Sequence, residues 1–180
     1  MIEWARGKAA ERDLSVTFIE GDARTFTLDR QFRTVLFPAN ALCHILTRED
    51  FEKLADQVRS HFHEDGRFVI DVFVPSPIAL TRDPEGRFAF GNHATDEDKT
   101  TVTFSNGYDH ASQINHITTY TQHGEGETVQ GTLDMRMYYP QELGALLEYN
   151  GLPVETRYGT VDLEPYGPES GRQLVVCRKG

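Results

Sequence analysis

Apolar positions change their period several times along the chain, and each change predicts a new element. Between residues 2 and 12, Ile2, Ala5, Ala9 and Ala10 recur at helical spacing among charges, which predicts a short amphipathic helix ended by Asp13. Residues 15–19 turn β-branched and apolar, reading as a buried strand, and Glu20-Gly21-Asp22 turns the chain. Residues 32–37, FRTVLF, form a nearly continuous apolar run that suits a parallel strand covered on both faces. Pro38 closes it, because proline has no N–H for the ladder. Thr47 ahead of Arg48, Glu49 and Asp50 predicts an N-cap with an acidic first turn. The stripe Phe51, Leu54, Ala55, Val58 and Phe62 carries this helix to about residue 63, with Asp65-Gly66 as its stop and 67–74 as a third buried strand. Strand, helix and strand joined by short turns make a right-handed crossover, so the sheet is at least partly parallel.

From about residue 75 the pattern becomes one-sided. Residues 87–90, 101–104, 114–120 and 129–138 alternate polar and apolar positions, as antiparallel strands with one wet face do. Alternation around 113–118 groups Gln113, Asn115 and Ile117 on one face and Ile114, His116 and Thr118 on the other. His116 is therefore expected to turn inward with Ile114. Gly124-Glu125-Gly126 reads as a hairpin turn and not as a phosphate loop, since no helix follows it. Pro140 opens a helix over 141–149 that carries Leu143, Leu146 and Leu147 and stops at Asn150-Gly151. Residues 154–158 and 173–177 are the last strands. The turn DLEPYGPESG between them is too short for a crossover helix, so they pair as an antiparallel hairpin.

Composition narrows the function. The 180 residues fit one domain able to bury a core without disulfides or metal. Acidic residues outnumber basic ones 28 to 18, for a net charge of −10, and no window clusters Lys and Arg. That opposes nucleic acid and anionic membrane as partners. No apolar run approaches the ~20 residues a bilayer span needs, and the first residues lack a signal core. Cys43 and Cys177 form no CxxC pair and read as thiols of a reducing compartment. These features together predict a soluble, cytoplasmic protein acting on a small molecule. His61 and His63, two apart at a helix end, point to different faces and read as solvated surface, not as a metal pair.

Several segments resemble the class I S-adenosylmethionine-dependent methyltransferases. Ile19-Glu20-Gly21-Asp22-Ala23 is similar to that family's third strand and the acidic turn after it. Residues 32–38 followed by Ala39-Asn40-Ala41-Leu42-Cys43-His44-Ile45-Leu46 resemble its fourth strand and loop. His61-Phe62-His63-Glu64-Asp65-Gly66-Arg67-Phe68-Val69-Ile70-Asp71-Val72 resembles the fifth strand and its entry, with Asp65 at the first position where the family commonly has glycine. Met135-Arg136-Met137-Tyr138-Tyr139-Pro140-Gln141-Glu142-Leu143 resembles the approach to its last helix. The resemblance implies an α/β fold: a partial Rossmann-like sheet of parallel strands with a final antiparallel hairpin and an inserted antiparallel β lid. It divides one methyltransferase-like domain into a cofactor-binding part (1–74), a substrate lid (75–138) and a C-terminal helix and hairpin (139–180). It also implies S-adenosylmethionine as cofactor. Asp22 would accept from the adenine amino group, the Ala23 amide would reach a ring nitrogen, and Pro38 and Asn40 would lie near the methionine part. Catalytic candidates are His44, His116 and Tyr108, each matched by a packing or surface role.

The glycine-rich turn that holds the methionine carboxylate in this family has no counterpart among the 180 residues. The expectation is a truncated or incomplete methyltransferase whose sheet has a raw, apolar edge. A fragment of a complete enzyme is the favoured reading. Completion by another chain or within a homo-oligomer, and a degenerate relative that has lost the cofactor, are the others. The rival function is a non-catalytic binding or interaction protein.

Overall fold

The structure, a computed structural model, describes residues 2–89 and 100–180. Phe90, the end of one expected strand, lies outside the described residues. Helix α1 (Ile2–Glu11) leads by a long loop to β1 (Phe32–Phe37), a 3-10 turn (Ala41–His44), α2 (Arg48–Ser60) and β2 (Phe62–Phe73). A short helix α3 (Pro77–Leu80) precedes β3 (Phe88–Ala89), β4 (Thr100–Asp109), β5 (Ile114–His123) and β6 (Thr128–Arg136). Helix α4 (Pro140–Tyr149) and strands β7 (Val154–Tyr158) and β8 (Arg172–Arg178) complete the chain.

Two four-stranded sheets result. The first has the order β1-β2-β8-β7, with β1 and β2 parallel and β8 antiparallel to both its neighbours; the second is the antiparallel meander β3-β4-β5-β6. The crossover and the final hairpin are as expected. Thr47 caps α2, its hydroxyl accepting from the Asp50 N–H at 3.1 Å, and Pro140 stands in the first turn of α4. Phe51, Leu54, Ala55 and Val58 of α2 pack on Phe68, Ile70 and Val72 of β2, with Leu143, Leu147, Val175 and Cys177 in the same core. Full burial of each such side chain contributes roughly 1.5–3 kcal/mol, which makes this face the main source of stability.

Several local expectations are corrected. Residues 15–19 form no strand, and Leu14, Val16 and Ile19 are each more than half exposed. A strand needs a ladder partner, and no described strand lies on the outer side of β1. β1 is an edge strand of its sheet and is not covered on both faces: Leu36 is 62% exposed. Helix α2 stops at Ser60 because the His61 ring takes over the helix end. Its Nδ1 donates to the Gln57 carbonyl at 2.7 Å and its Nε2 accepts from the Leu28 N–H at 2.9 Å. His61 is thus buried at 4% exposure, stacked on Phe26, and not solvated. Asp65-Gly66 is not a helix stop but part of an irregularity in β2, between the pairs Phe32/Phe62 and Thr34/Arg67. A Cβ on Gly66 would lie 2.8 Å from the His63 carbonyl oxygen, which explains glycine there. Finally, His116 does not turn inward. It is exposed and pairs with Asp134 of β6 at 2.7 Å, while Asn115 on the opposite face is buried.

Candidate functional site

The loop after β1 is a tightly held turn. Ala39 and Asn40 both have left-handed backbones, φ 55° and 61°, a conformation that costs non-glycine residues about 1–3 kcal/mol each unless the surroundings enforce it. Asp71 of β2 does so. Its carboxylate accepts from the Ala39 N–H at 3.1 Å, its carbonyl accepts from the Asn40 N–H at 3.0 Å, and Arg172 pairs with its other oxygen. The Asn40 side-chain oxygen in turn accepts from the Phe73 N–H at 2.9 Å. A lone aspartate inside the apolar run FVIDVF was the sequence signal for this clamp, and it was missed.

Two openings meet at this loop. An open cleft of about 610 Å³ lies between the 20–24 turn and the Phe37, Ala41, His44 and Ile45 wall. It brings Asp22, Ala23 and His44 together. Asp22 is engaged: Arg24 donates to it through Nε at 2.9 Å, Nη2 at 2.6 Å and its backbone N–H at 2.9 Å. These contacts hold its carboxyl down at about 2. Arg24 also reaches Asp50 on α2 at 2.8 Å, which anchors the turn to the helix start. The Ala23 N–H, by contrast, has no hydrogen-bond partner among the described residues.

The second opening, a cavity of about 340 Å³, begins one residue back, at Asn40. The ends of β2 and α3 and the inner face of β4, β5 and β6 enclose it, with Phe73, Phe104, Ile117, Met135 and Met137 as apolar wall. Arg136 fixes the meander to the first sheet, donating to the Leu46 carbonyl at 3.2 Å and pairing with Glu142 at 2.7 Å; the Tyr138 hydroxyl donates to the Ile45 carbonyl. Asn106 and Asn115 are the buried polar residues of this cavity. Asn106 was not singled out from the sequence; an asparagine in a strand between Ser105 and Gly107 was its only mark.

The remaining candidates lie apart. Pro38 is exposed at the end of β1 and lines neither opening. His116 faces solvent. Tyr108 lies two residues from Asn106 on the same side of β4, but is not in the cavity wall. Burial, with a hydrogen bond to Tyr139 adding to it, pushes its phenol up to about 12, so it stays protonated at neutral pH.

No protein-family model and no curated protein matches the chain. Solved structures do. An S-adenosylmethionine-dependent methyltransferase from Clostridium acetobutylicum matches with a TM-score of 0.82 at 14% identity, over 99% of this chain and 70% of that one. The CcbJ methyltransferase from Streptomyces caelestis matches with a TM-score of 0.84 at 18% identity, over 99% and 70%. The sugar N-methyltransferase KedS8 from a Streptoalloteichus species gives 0.61 at 18%, over 99% and 69%. The chain therefore has the class I methyltransferase fold, and it spans about 70% of the length of the first two of these structures.

Proposed function

We propose that this chain serves S-adenosylmethionine-dependent methyl transfer to a small-molecule acceptor. The cofactor lies in the 610 Å³ cleft and the acceptor in the 340 Å³ cavity. The observation that carries the proposal is the junction of the two openings at consecutive residues, Asn40 and Ala41, on a loop that the protein holds in strained geometry. Ligands of open α/β sheets bind outside the carboxyl ends of the strands, which is where this loop lies.

The residues present fit the adenine end of the cofactor. The unpartnered Ala23 N–H is a donor for a ring nitrogen. Asp22 becomes an acceptor for the amino group if Arg24 swings toward Asp50, to which it is already bonded. Asn40, where the two openings meet, would border the methionine part; Pro38 would have to turn toward the cleft to do so. Among the described residues lining the cleft, no glycine-rich turn supplies the carboxylate anchor. That part of the site is proposed to come from a further segment, another chain or a homo-oligomer docking on the open edge of β1.

When bound, the cofactor supplies an electrophilic methyl on sulfur, so the protein's task is alignment and exclusion of water. The Asp71 clamp fixes the loop between donor and acceptor. The apolar wall of Phe73, Phe104, Met135 and Met137 keeps the acceptor's nucleophile unhydrated. His44, in the cofactor cleft, is the remaining candidate to take a proton at its imidazole; His116 and Tyr108 would need a different conformation to do so. The three-part division at residues 74 and 138 belongs to the same proposal, as does a cytoplasmic location; among the described residues, no helix is long and apolar enough to cross a membrane.

Calorimetric titration with S-adenosylmethionine and S-adenosylhomocysteine tests the proposal. Saturable micromolar binding, about 8 kcal/mol in free energy, is expected. Absence of binding by a folded sample rejects catalysis by this chain alone. It would favour the rival reading, a non-catalytic interaction protein, which the existing Asp22–Arg24 pairing also supports.

A further inference from the structure

The cavity wall holds a polar device that its apolar surroundings make conspicuous. Asn106 is 4% exposed and Asn115 8% exposed. The Asn106 Nδ2 donates to the Asn115 Oδ1 at 3.2 Å and to the Ala79 carbonyl at 3.3 Å. The Ala79 carbonyl can only accept, so the Asn106 amide cannot be turned over without losing that bond. Its orientation is set, and it leaves the Asn106 Oδ1 buried with no hydrogen-bond partner. On Asn115 the Oδ1 is engaged, and its Nδ2 has no partner among the described residues. A native protein leaves few buried polar atoms unpaired, and a binding site is one place where such an atom acquires its partner from outside.

We propose that the Asn106–Asn115 pair reads the acceptor: it selects an apolar molecule carrying one uncharged group that both donates and accepts a hydrogen bond, such as a hydroxyl or carboxamide. The donor of that group meets the Asn106 Oδ1 and its acceptor meets the Asn115 Nδ2. Charge is selected against: an ionised carboxylate has no donor to offer the Asn106 Oδ1, and a cation finds no partner of opposite sign among the described residues of the wall. No carboxylate lines the cavity among the described residues, and its charged member there is Arg82, whose guanidinium lies over the Phe88 and Phe104 rings at 4.6 and 5.8 Å. A protonated amine would enter an apolar space beside a fixed cation without a counter-charge. The volume of about 340 Å³ is at the small end of the roughly 300–1,000 Å³ of ligand sites, which suits a small body of one or two rings.

This inference rests on the assignment of the cavity as the acceptor site, but its test reads binding and needs no cofactor. Met135 and Met137 line the cavity, and the sequence has three methionines, so methyl-labelled methionine gives two reporters at the site. Benzyl alcohol, benzamide, toluene and benzylamine at neutral pH are the probes. Benzyl alcohol and benzamide are expected to shift both methyls with affinities at least about tenfold better than toluene or benzylamine, and Asn106→Leu to shrink that gap to about twofold. Ile117→Trp, which fills the cavity, should abolish all the shifts. Equal affinities, a gap that survives Asn106→Leu, shifts that survive Ile117→Trp, or no shifts at all would each overturn the inference. Should Asn106→Leu fail to fold, the wild-type ranking and the Ile117→Trp control still decide. Failure to bind S-adenosylhomocysteine would instead count against the cofactor proposal and leave this result standing.

Discussion

Removing the Asp71 carboxylate should release the strained loop between the two openings. Asp71→Ala deletes a charged hydrogen bond to the Ala39 N–H, a contact worth about 1.5–3 kcal/mol. It also deletes the pair with Arg172, whose side chain is 38% exposed, so that loss is about 0–1 kcal/mol. The Asn40 N–H keeps its bond to the residue 71 carbonyl, and Ala39 is exposed enough for water to take its N–H. Those two facts place the total in the lower half of the sum, about 1.5–2.5 kcal/mol of stability. Asp71→Asn retains an acceptor for Ala39 but not the charge, and should cost about 1 kcal/mol. Urea unfolding followed by circular dichroism measures both. Ligand affinity separates loop order from global stability: Asp71→Ala should weaken S-adenosylhomocysteine more than a core substitution of equal destabilisation does. An Asp71→Ala protein within about 0.5 kcal/mol of wild type would show that the carboxylate does not hold the loop.

Other perturbations follow from single contacts. Arg24 holds the Asp22 carboxyl at about 2, below the ordinary 3.8, so its contribution is present above 3.8 and lost as pH falls toward 2; a carboxyl-carbon titration should find that low midpoint and its return to the ordinary value in Arg24→Met. A wild-type midpoint at 3.8 refutes the pairing. Burial pushes the Cys43 and Cys177 thiols up to about 12, so iodoacetamide should label neither in the folded protein at mildly alkaline pH and both after unfolding. Rapid labelling of the native state would contradict their burial. Gly66→Val places side-chain atoms against the His63 carbonyl and should lower stability by about 1–3 kcal/mol, seen as a reduced urea midpoint; an unchanged midpoint would deny the close approach. Leu54→Ala, at a site 3% exposed, should cost about 2–5 kcal/mol by the same assay, and a loss under 1 would place Leu54 outside the core.

Local signals determined much of this protein. Thr47 and Pro140 mark helix starts because capping chemistry acts within a few residues, and the Phe51, Leu54, Ala55, Val58 stripe and the leucines of α4 follow from the 3.6-residue period. The crossover and final hairpin follow from connection length. The order of family-like segments was enough to bring Asp22, Ala23 and His44 to one cleft. What depends on a partner far along the chain was not legible. Residues 15–19 have the composition of a strand but no described strand beside them, since pairing is a property of two segments. His61 looked like surface until the tertiary structure brought the Leu28 N–H, 33 residues away, to its ring. The Asp71 clamp joins residues 32 apart, and the Asn106–Asn115 pair exists only because the β4–β5 register sets Asn106 opposite Ile117 and Tyr108 opposite Asn115. Periodicity encodes which face a side chain takes relative to its own neighbours. Only the closed fold decides what that face meets, because burial and the partnering of polar atoms are fixed by the other elements packed against it.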